Sequence, residues 1–164
     1  MIHVVLLEPE IPQNTGNIAR TCAATGCMLH LIEPMGFKLD DRQIRRAGLD
    51  YWPYVVLRTY KNWEDFASQN SGIFYFCTTK AEQTHAEMHY PKDCDIYFVF
   101  GKESHGLPEP LLARHAAHCI RIPMREDIRS LNLSNSVAII VYECLRQSGF
   151  EGFTTKGKLT GRPD

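Results

Sequence analysis

The chain has 164 residues, a formal net charge of −1, and hydrophobic side chains at 44% of its positions. This length and composition suit one domain with a sizeable core, whereas the near-neutral charge argues against a general polyanion binder, which would carry a basic excess. The first residues lack the basic segment of a secretory signal peptide, and no apolar run approaches membrane-spanning length, so we expect neither feature.

Apolar runs and helical patterns alternate through the first half of the chain. They predict strands at residues 3–7, 28–32, 54–57 and 73–77, and helices at residues 17–25, 40–47 and 62–69. Gly26 suits the end of the first helix, and Asn14 and Asn17 suit its start, because asparagine is a good helix cap. Two acids in the first turn and two arginines in the last turn favour the second helix.

The second half continues this alternation. It predicts strands at residues 95–100 and 120–123, and helices at residues 108–117 and 132–147. Strands that alternate with helices predict an α/β fold, with a mainly parallel sheet and helices on both faces. Because ligands bind such sheets at the carboxyl ends of the strands, we expect the chemistry in the loops that follow residues 7, 77, 100 and 122.

The last helix is apolar on more than one side. Its main stripe runs from Val137 to Leu145 with the spacing of a core-facing helix, and Ile139 and Tyr142 add apolar surface beside that stripe. Either a partner subunit or other parts of the same chain would bury this second side. Residues 151–164 have little to bury, so we predict one domain over residues 1–150 and a flexible tail after it.

Several familiar nucleotide and hydrolase sites are missing. The sequence contains neither the glycine-rich dinucleotide fingerprint nor the phosphate-binding P-loop. Residues 101–106 (GKESHG) resemble the nucleophile elbow of a hydrolase, but Ser104 stands one place too far from Gly101. A hydrolase that uses Ser104 stays an alternative.

The histidines and cysteines do not form a recognisable metal site. His85 and His89 enclose a glutamate in the wrong place for a zinc helix. His115, His118 and Cys119 are loosely spaced and have no evident fourth ligand. The six cysteines are scattered without a C-x-x-C pair, which indicates a reduced protein of the cytoplasm. We therefore expect no bound metal.

Three segments are unusually polar for their positions. Residues 12–20 (PQNTGNIAR) follow the first strand and end at Arg20, and residues 101–106 carry two glycines that permit close backbone approach. Residues 121–138 lead into the last helix with more hydrogen-bonding side chains than the one cap that a helix start needs. These side chains are Ser130, Asn132, Ser134 and Asn135.

Taken in order, the three segments resemble the three motifs of the SPOUT class of RNA 2′-O-methyltransferases. The first holds the asparagine–arginine motif, the second reads F-G-x-E-x-x-G, and the third reads I-P-M followed by S-L-N-x-S-N-x-x-A. The resemblance extends to the small stand-alone tRNA (cytidine/uridine-2′-O-)-methyltransferases through EPEIP at 8–12, HLIEP at 30–34 and RRAGLDY at 45–51. It covers the chain up to the predicted tail, and only variable motif positions, such as Lys102 and His105, depart from it.

This resemblance implies a methyl donor, S-adenosylmethionine, and a deep C-terminal trefoil knot (the α/β knot of the SPOUT class) whose loops hold that donor. By motif position, eight residues are the implied donor contacts: Cys77, Thr78, Gly101, Glu103, Ile122, Met124, Ser130 and Leu131. Much of this contact is made by backbone groups in related enzymes. The Cys77 thiol is therefore not expected to act as a nucleophile.

The resemblance also implies the catalytic positions. Arg20 corresponds to the catalytic arginine, and the residues implied to shape the site around it are Asn14, Ser134, Asn135 and Tyr142. A guanidinium group is a poor proton acceptor at neutral pH. We favour a hypothesis in which Arg20 orients the ribose 2′-hydroxyl and the adjacent phosphate and stabilises the developing alkoxide, while the phosphate or a water takes the proton.

The implied partners are tRNA and a second copy of the chain. Residues 38–61 carry six basic and three acidic side chains, and the residues expected to contact RNA are Arg42, Arg45, Arg46 and, near the site, Arg129. For each arginine, a solvated surface position is the alternative. The expected substrate is the wobble cytidine or uridine, position 34, of leucine tRNAs. The same reaction on another RNA, or an RNA-binding protein that has lost catalysis, remain alternatives.

Overall fold

The computed structural model describes residues 1–40, 42, 44, 46 and 51–161. Within these residues the strands are β1 (Ile2–Leu7), β2 (Met28–Ile32), β3 (Leu57–Tyr60), β4 (Ile73–Cys77), β5 (Gln83–Thr84), β6 (Ile96–Phe100) and β7 (Cys119–Arg121). The α-helices are α1 (Pro12–Thr25), α2 (Trp63–Gln69), α3 (Glu109–Arg114) and α4 (Leu133–Gln147), and short 3₁₀ helices span Trp52–Tyr54 and Ala116–His118. No helix in the described part of the chain is long and apolar enough to cross a membrane.

The described strands form one sheet in the order β3-β2-β1-β6-β4-β7-β5. All of the pairings recorded between them are parallel. The α/β fold with a mainly parallel sheet that the sequence predicts is therefore confirmed. In this order the carboxyl ends of β1, β6, β4 and β7 lie side by side, so the loops that follow them meet at one edge of the sheet.

The sheet is buried on both faces, and β1 shows how the sequence achieves this. Val4 and Leu6 point into a core that also contains Ile18 of α1 and Ile140 of α4. Their neighbours in β1 point to the opposite face, because successive side chains of a strand alternate. There Val5 joins a second core, which α2 and α3 cover through Phe66, Leu111 and Leu112.

Several predicted elements match the structure closely, among them the strands at 3–7 and 28–32, which are β1 and β2. The strand at 73–77 is β4, the strand at 95–100 is β6 apart from its first residue, and the helix at 132–147 is α4 with Asn132 as its cap. The Asn132 side chain accepts hydrogen bonds from the backbone N–H groups of Ser134 and Asn135. α2 likewise begins after Asn62, whose side chain accepts from the backbone of Asp65.

The predicted start of the first helix is wrong. α1 begins at Pro12, five residues before the predicted start, with Ile11 at the N-cap position and no side-chain cap. Proline suits the first helical position because its missing N–H has no partner there in any case. Asn14 and Asn17 therefore lie inside the helix and do not cap it.

Other predicted boundaries also move. Residues 52–54 form a 3₁₀ helix around Pro53, and β3 starts only at Leu57, which pairs with Leu29 of β2. The helix predicted at 108–117 is split into α3 and the 3₁₀ helix Ala116–His118, and the strand predicted at 120–123 is β7. The two-residue strand β5 was not predicted; it pairs with β7 through Gln83 and Thr84.

Two predicted features remain, the helix at residues 40–47 and the flexible tail. Of the helix predicted at 40–47, residues 42, 44 and 46 are helical, and the residues between them lie outside the described residues. Phe150, at the end of the predicted domain, and Phe153, in the predicted tail, pack against the core that contains residues of α1 and α4, whereas residues 154–161 are exposed and have no regular structure. The division between a domain and a flexible tail at residue 150 stays a prediction.

Candidate functional site

A cavity of about 560 Å³ opens at the carboxyl edge of the sheet. Its walls come from the loops after β4, β6 and β7, from the first residues of α1, and from the start of α4. Apolar side chains such as Leu131 and Ile122 alternate with polar groups such as Asn14 and Ser130 around this cavity. A mainly apolar cleft of a few hundred Å³ with a few fixed polar groups is typical of a small-molecule site.

Glu103 joins two of these walls. Its carboxylate accepts hydrogen bonds from the backbone N–H groups of Glu10 (2.8 Å) and Ile11 (3.1 Å) and from the Asn14 side-chain amide (3.2 Å). Glu10 and Ile11 lie in the loop after β1, so one carboxylate fixes the loop after β6 against the start of α1. Its three N–H donors give Glu103 a structural role between these two segments.

The same network reaches the start of α4. The Asn132 side-chain amide donates to Asn14 Oδ1 at 3.0 Å, while Asn132 Oδ1 accepts from the Ser134 hydroxyl at 2.6 Å and from the Ser134 backbone N–H at 2.9 Å. Asn14 is buried, with 6% of its surface exposed. The three polar segments that the sequence singles out therefore meet in one hydrogen-bonded cluster.

Two more contacts bind the loop after β6 to the loop after β1. Lys102 forms an ion pair with Glu8 (Nζ to Oε2, 2.9 Å), which raises the pKa of the lysine. The Ser104 hydroxyl and backbone N–H both donate to the Glu10 carboxylate, at 2.8 and 2.9 Å. These two hydrogen bonds lower the pKa of Glu10, so its carboxylate is ionised at neutral pH.

Gly101 is required by close backbone contact. A Cβ at this position would lie 2.0 Å from the carbonyl carbon of Gly106 and 2.3 Å from the backbone nitrogen of Leu107. The loop after β6 therefore folds back on itself more tightly than any side chain permits. Gly106 has a φ of +69°, in the left-handed region that glycine favours, and its N–H donates to Lys102 O at 2.8 Å.

The eight residues implied as donor contacts all line this one cavity. They are Cys77, Thr78, Gly101, Glu103, Ile122, Met124, Ser130 and Leu131. Arg129 lines it as well. Burial raises the pKa of the Cys77 thiol well above its usual range, with a smaller contribution from Cys119, so the thiol stays protonated. That these eight residues bind the methyl donor stays a prediction.

The structure separates several residues implied to be catalytic from the cavity wall. Ser134 is buried and bonded to Asn132, and Asn135 is exposed in the first turn of α4. Tyr142 is 46% exposed and lies beside Phe150, with 6.5 Å between ring centroids. Of the implied catalytic set, only Asn14 is among the described residues that line the cavity.

Arg20 is exposed on α1 and makes two contacts with one residue. Its guanidinium donates to the Tyr51 hydroxyl at 3.1 Å, and its Cζ lies 4.7 Å from the centre of the Tyr51 ring. Cation–π contacts of this kind occur within about 6 Å. The Tyr51 side chain thus holds the arginine in one orientation on the surface.

The histidines considered for metal binding have other surroundings. Residues 85–89 form a turn after β5, and the His115 ring stacks on Phe76 at 4.5 Å. The buried Cys119 thiol donates to the Leu112 carbonyl oxygen at 3.7 Å. In the parts of the chain that the structure describes, no group of three or more His, Cys, Asp or Glu side chains is arranged to hold a metal ion.

Sequence reasoning missed part of the cavity wall. Lys80 lines it and forms an ion pair with Glu109 at the start of α3, which lowers the pKa of that glutamate. His105 and Ser136 line it too. Lys80 and His105 lie in loops after predicted strands, and Ser136 lies in the first turn of α4, but no motif specifies these three side chains.

The parallel α/β sheet and the cavity among the loops after β4, β6 and β7 agree with the knotted methyltransferase class that the motifs predict. The SpoU rRNA Methylase family matches residues 1–142, and the chain belongs to this family. Membership implies the C-terminal trefoil knot.

Individual relatives agree with this assignment. A tRNA (cytidine(34)-2′-O)-methyltransferase of Burkholderia pseudomallei is 50% identical over 157 residues, which cover 93% of this chain and 99% of the relative. A solved structure described as giving structural insights into the 2-OH methylation of C/U34 on tRNA is 43% identical, with a TM-score of 0.85, and covers 91% of each chain. An AdoMet-bound rRNA methyltransferase from Sinorhizobium meliloti is 26% identical, with a TM-score of 0.79, and the match covers 88% of this chain and 56% of that one.

Proposed function

We propose that the chain is an S-adenosylmethionine-dependent tRNA 2′-O-methyltransferase that acts on the cytidine or uridine at position 34. The observation that carries this proposal is the single cavity lined by all eight residues implied as donor contacts. Relatives that share about half of its residues and nearly its full length are named for this reaction. Their names supply the nucleotide, and the cavity supplies the donor site.

The cavity fits the donor in size and in chemistry. Its volume of about 560 Å³ lies within the range of small-molecule sites. Ile122, Met124 and Leu131 offer apolar walls for an adenosine ring, and Gly101 lets the loop after β6 fold back tightly to form another wall. When bound, the donor supplies an electrophilic methyl group carried on a sulfonium sulfur.

Residues of this chain would then position the ribose and stabilise its charge. Arg20, held by Tyr51, would orient the 2′-hydroxyl and the neighbouring phosphate and stabilise the alkoxide as it forms. Asn14 lines the cavity and is held by Glu103 and Asn132. Ser134 and Asn135 would act indirectly, by fixing Asn132 at the start of α4.

The RNA contact would involve exposed arginines near this edge. Arg42 and Arg46 are exposed and helical, and Arg129 lines the cavity; Arg45 lies outside the described residues. Each phosphate that such arginines neutralise would make binding weaker as the salt concentration rises. Leucine tRNAs are the proposed substrates, as the sequence resemblance implies.

We also propose a homodimer in the cytoplasm. Ile139 and Tyr142 stand one turn apart on α4 and remain 38% and 46% exposed in the single chain, so one apolar side of this helix is available to a second copy. Tyr142 would then belong to the subunit interface. All six cysteines are free thiols, which favours a reducing compartment.

Two measurements test the proposed function. Isothermal titration calorimetry should detect binding of S-adenosylmethionine and of its demethylated product to the purified chain. Incubation with total tRNA and tritiated donor, followed by nucleoside mapping, should place the label in 2′-O-methylcytidine or 2′-O-methyluridine from position 34. Label confined to ribosomal RNA would favour the alternative substrate, and donor binding without any transfer would favour the inactive RNA-binding protein.

A further inference from the structure

Tyr54 is the most exposed aromatic side chain among the described residues. It ends the 3₁₀ helix Trp52–Tyr54, and 74% of its surface is exposed. Within the described part of the chain, its ring has no aromatic neighbour and its hydroxyl has no hydrogen-bond partner. The two tryptophans differ, because Trp52 and Trp63 both pack against buried core residues. Tyr54 therefore contributes little to the fold and is free to contact a ligand.

The turn that carries Tyr54 is held in one conformation. The Tyr54 N–H donates to Tyr51 O at 2.9 Å, and the Val55 N–H donates to Trp52 O at 3.1 Å. Pro53 fixes one backbone angle inside the turn, and Trp52 packs against the core to which α1 also contributes. The backbone under the Tyr54 ring thus has little freedom to lose when a ligand binds.

Tyr51 connects this turn to Arg20. Its hydroxyl accepts a hydrogen bond from the Arg20 guanidinium at 3.1 Å, and Arg20 Cζ lies 4.7 Å from the centre of its ring. Side chains three residues apart in a 3₁₀ turn lie on the same side, and the backbone advances about 6 Å between them. This is less than two stacked nucleotide steps of about 3.4 Å each. A nucleotide whose ribose lies at Arg20 can therefore place its base on Tyr54.

A guanidinium beside an unoccupied aromatic ring matches the two halves of a nucleotide. Arg20 has no carboxylate partner among the described residues, so its N–H groups and its charge are available to a phosphate or a ribose oxygen. Unpaired bases of RNA loops stack on aromatic side chains. Such stacking tolerates different bases, because every base has a π-face. Cytosine and uracil can therefore use the same ring.

We propose that the base of the target nucleotide stacks on Tyr54, and that Tyr51 is the positioning residue that keeps Arg20 beside this ring. This inference rests on the proposed function and adds the contact that binds the base. The ring meets the flat face of the base and not its hydrogen-bonding edge, so it does not distinguish C34 from U34. Tyr54 contributes to RNA binding and takes no part in the methyl transfer itself.

Steady-state methyl transfer to leucine tRNA tests the role of the ring. Tyr54→Leu keeps an apolar side chain without the ring, and it should raise KM for the tRNA about tenfold. Its kcat should stay nearly unchanged, because the lost contact stabilises the bound substrate and the transition state equally. Tyr54→Phe keeps the ring and should retain the normal KM. A KM raised as much in Tyr54→Phe as in Tyr54→Leu would overturn the inference, because the hydroxyl would then be the contact.

A matched tRNA with an abasic ribose at position 34 identifies the base that stacks. On this RNA the KM of the unmodified chain should also be at least about tenfold higher. Tyr54→Leu should raise it no further, because the two changes remove the same contact. Effects that multiply, so that Tyr54→Leu again raises KM about tenfold on the abasic RNA, would overturn the inference, since Tyr54 would then contact something other than the target base.

Leu159→Ala is the control, because it also removes an exposed apolar side chain and lies outside the turn and the cavity wall; its KM should be normal. A change of oligomeric mass in Tyr54→Leu would overturn the inference and assign the ring to a contact between copies of the chain. A normal KM in Tyr54→Leu would overturn it as well, with the proposed function intact. No transfer to leucine tRNA by the unmodified chain would overturn the proposed function and the inference together.

Discussion

The side-chain amide of Asn132 donates a 3.0 Å hydrogen bond to Asn14 Oδ1, although the two residues are 118 positions apart. Asn14 in turn donates to Glu103. One buried asparagine therefore connects α1, the loop after β6 and the start of α4. Because Asn14 is hydrogen-bonded to both of the other segments, a change at Asn14 should disturb all three segments of the cavity wall.

Asn14→Ala should lower the free energy of unfolding by about 1–3 kcal/mol, because it removes one of the three N–H donors to Glu103 and the acceptor of the Asn132 side-chain amide. Asn14→Asp should cost more, since it places a second carboxylate against Glu103. Urea denaturation measures both changes. Asn17→Ala, at an exposed position of the same helix, is the control and should stay within about 0.5 kcal/mol of the unmodified chain. Equal effects at the two positions would contradict the proposed network.

Arg20→Ala should abolish methyl transfer while binding of the donor survives, because Arg20 stands outside the cavity wall and, in the proposed function, acts on the ribose. By analogy with the loss of an oxyanion donor, a decrease of at least about 100-fold is expected. Tyr51→Phe keeps the aromatic ring under the guanidinium but removes the hydrogen bond, so its loss of activity should be much smaller. Single-turnover assays and calorimetry measure the two effects. Loss of both activity and donor binding in Arg20→Ala would show that the arginine has a structural role.

Gly101→Ala should disrupt the donor cavity. Its Cβ would meet the Gly106 backbone at 2.0 Å, and backbone atoms cannot move aside as a side chain can. We expect a decrease of at least about 3 kcal/mol in the free energy of unfolding and no measurable donor binding. Gly157→Ala is the control, since nothing lies within 4 Å of its Cβ position. Normal donor binding by Gly101→Ala would show that the loop after β6 is not built as described.

Stability should fall in mild acid because of a buried histidine pair. His30 Nε2 and His3 Nδ1 are 2.9 Å apart, and His30 Nδ1 is 2.9 Å from the Tyr60 hydroxyl. Burial, with the charges of His3 and Arg58, lowers the pKa of His30 to about 4; burial also lowers that of His3, against the opposing effect of Asp95. The unfolded chain therefore binds protons more readily below pH 6.5.

The lowered pKa of His30 determines how the stability of the fold depends on pH. The contribution of His30 is fully present above pH 6.5 and is lost as the pH falls from 6.5 toward 4. Because of this histidine alone, the free energy of unfolding should fall by about 2 kcal/mol between pH 7 and pH 5. Urea unfolding at both pH values measures this change. His30→Gln should flatten the dependence, and an equally steep dependence in that variant would show that other groups cause it.

The sequence predicts best those elements that local pattern determines. β4 and β6 are continuous apolar runs, and Asn132 is the side-chain cap of α4, so their positions follow from composition and capping alone. Local pattern predicts the start of α1 too late because asparagine is a favoured cap, whereas the first turn of α1 is set by Pro12 and by the contact of Asn14 with Glu103. Such packing depends on residues far along the chain.

Strand order and long-range partners lie beyond local pattern. β5 consists of two residues and exists because β7 pairs with it. The start of β3 is set by its pairing with β2 rather than by its own sequence. In the site, the motif resemblance identifies eight of the residues that line the cavity, but the contacts of Asn14 with Glu103 and of Arg20 with Tyr51 depend on the fold.

The central claim is methyl transfer to the ribose of nucleotide 34, and mass spectrometry of the anticodon-loop fragment tests it most directly. Leucine tRNA transcripts with C34 or U34, and a matched tRNA with a 2′-deoxy nucleotide at that position, are incubated with the donor and the chain. We expect a gain of one methyl group at nucleotide 34 in the first two tRNAs and none in the third. A methyl group on the base, or undiminished methylation of the 2′-deoxy tRNA, would contradict it.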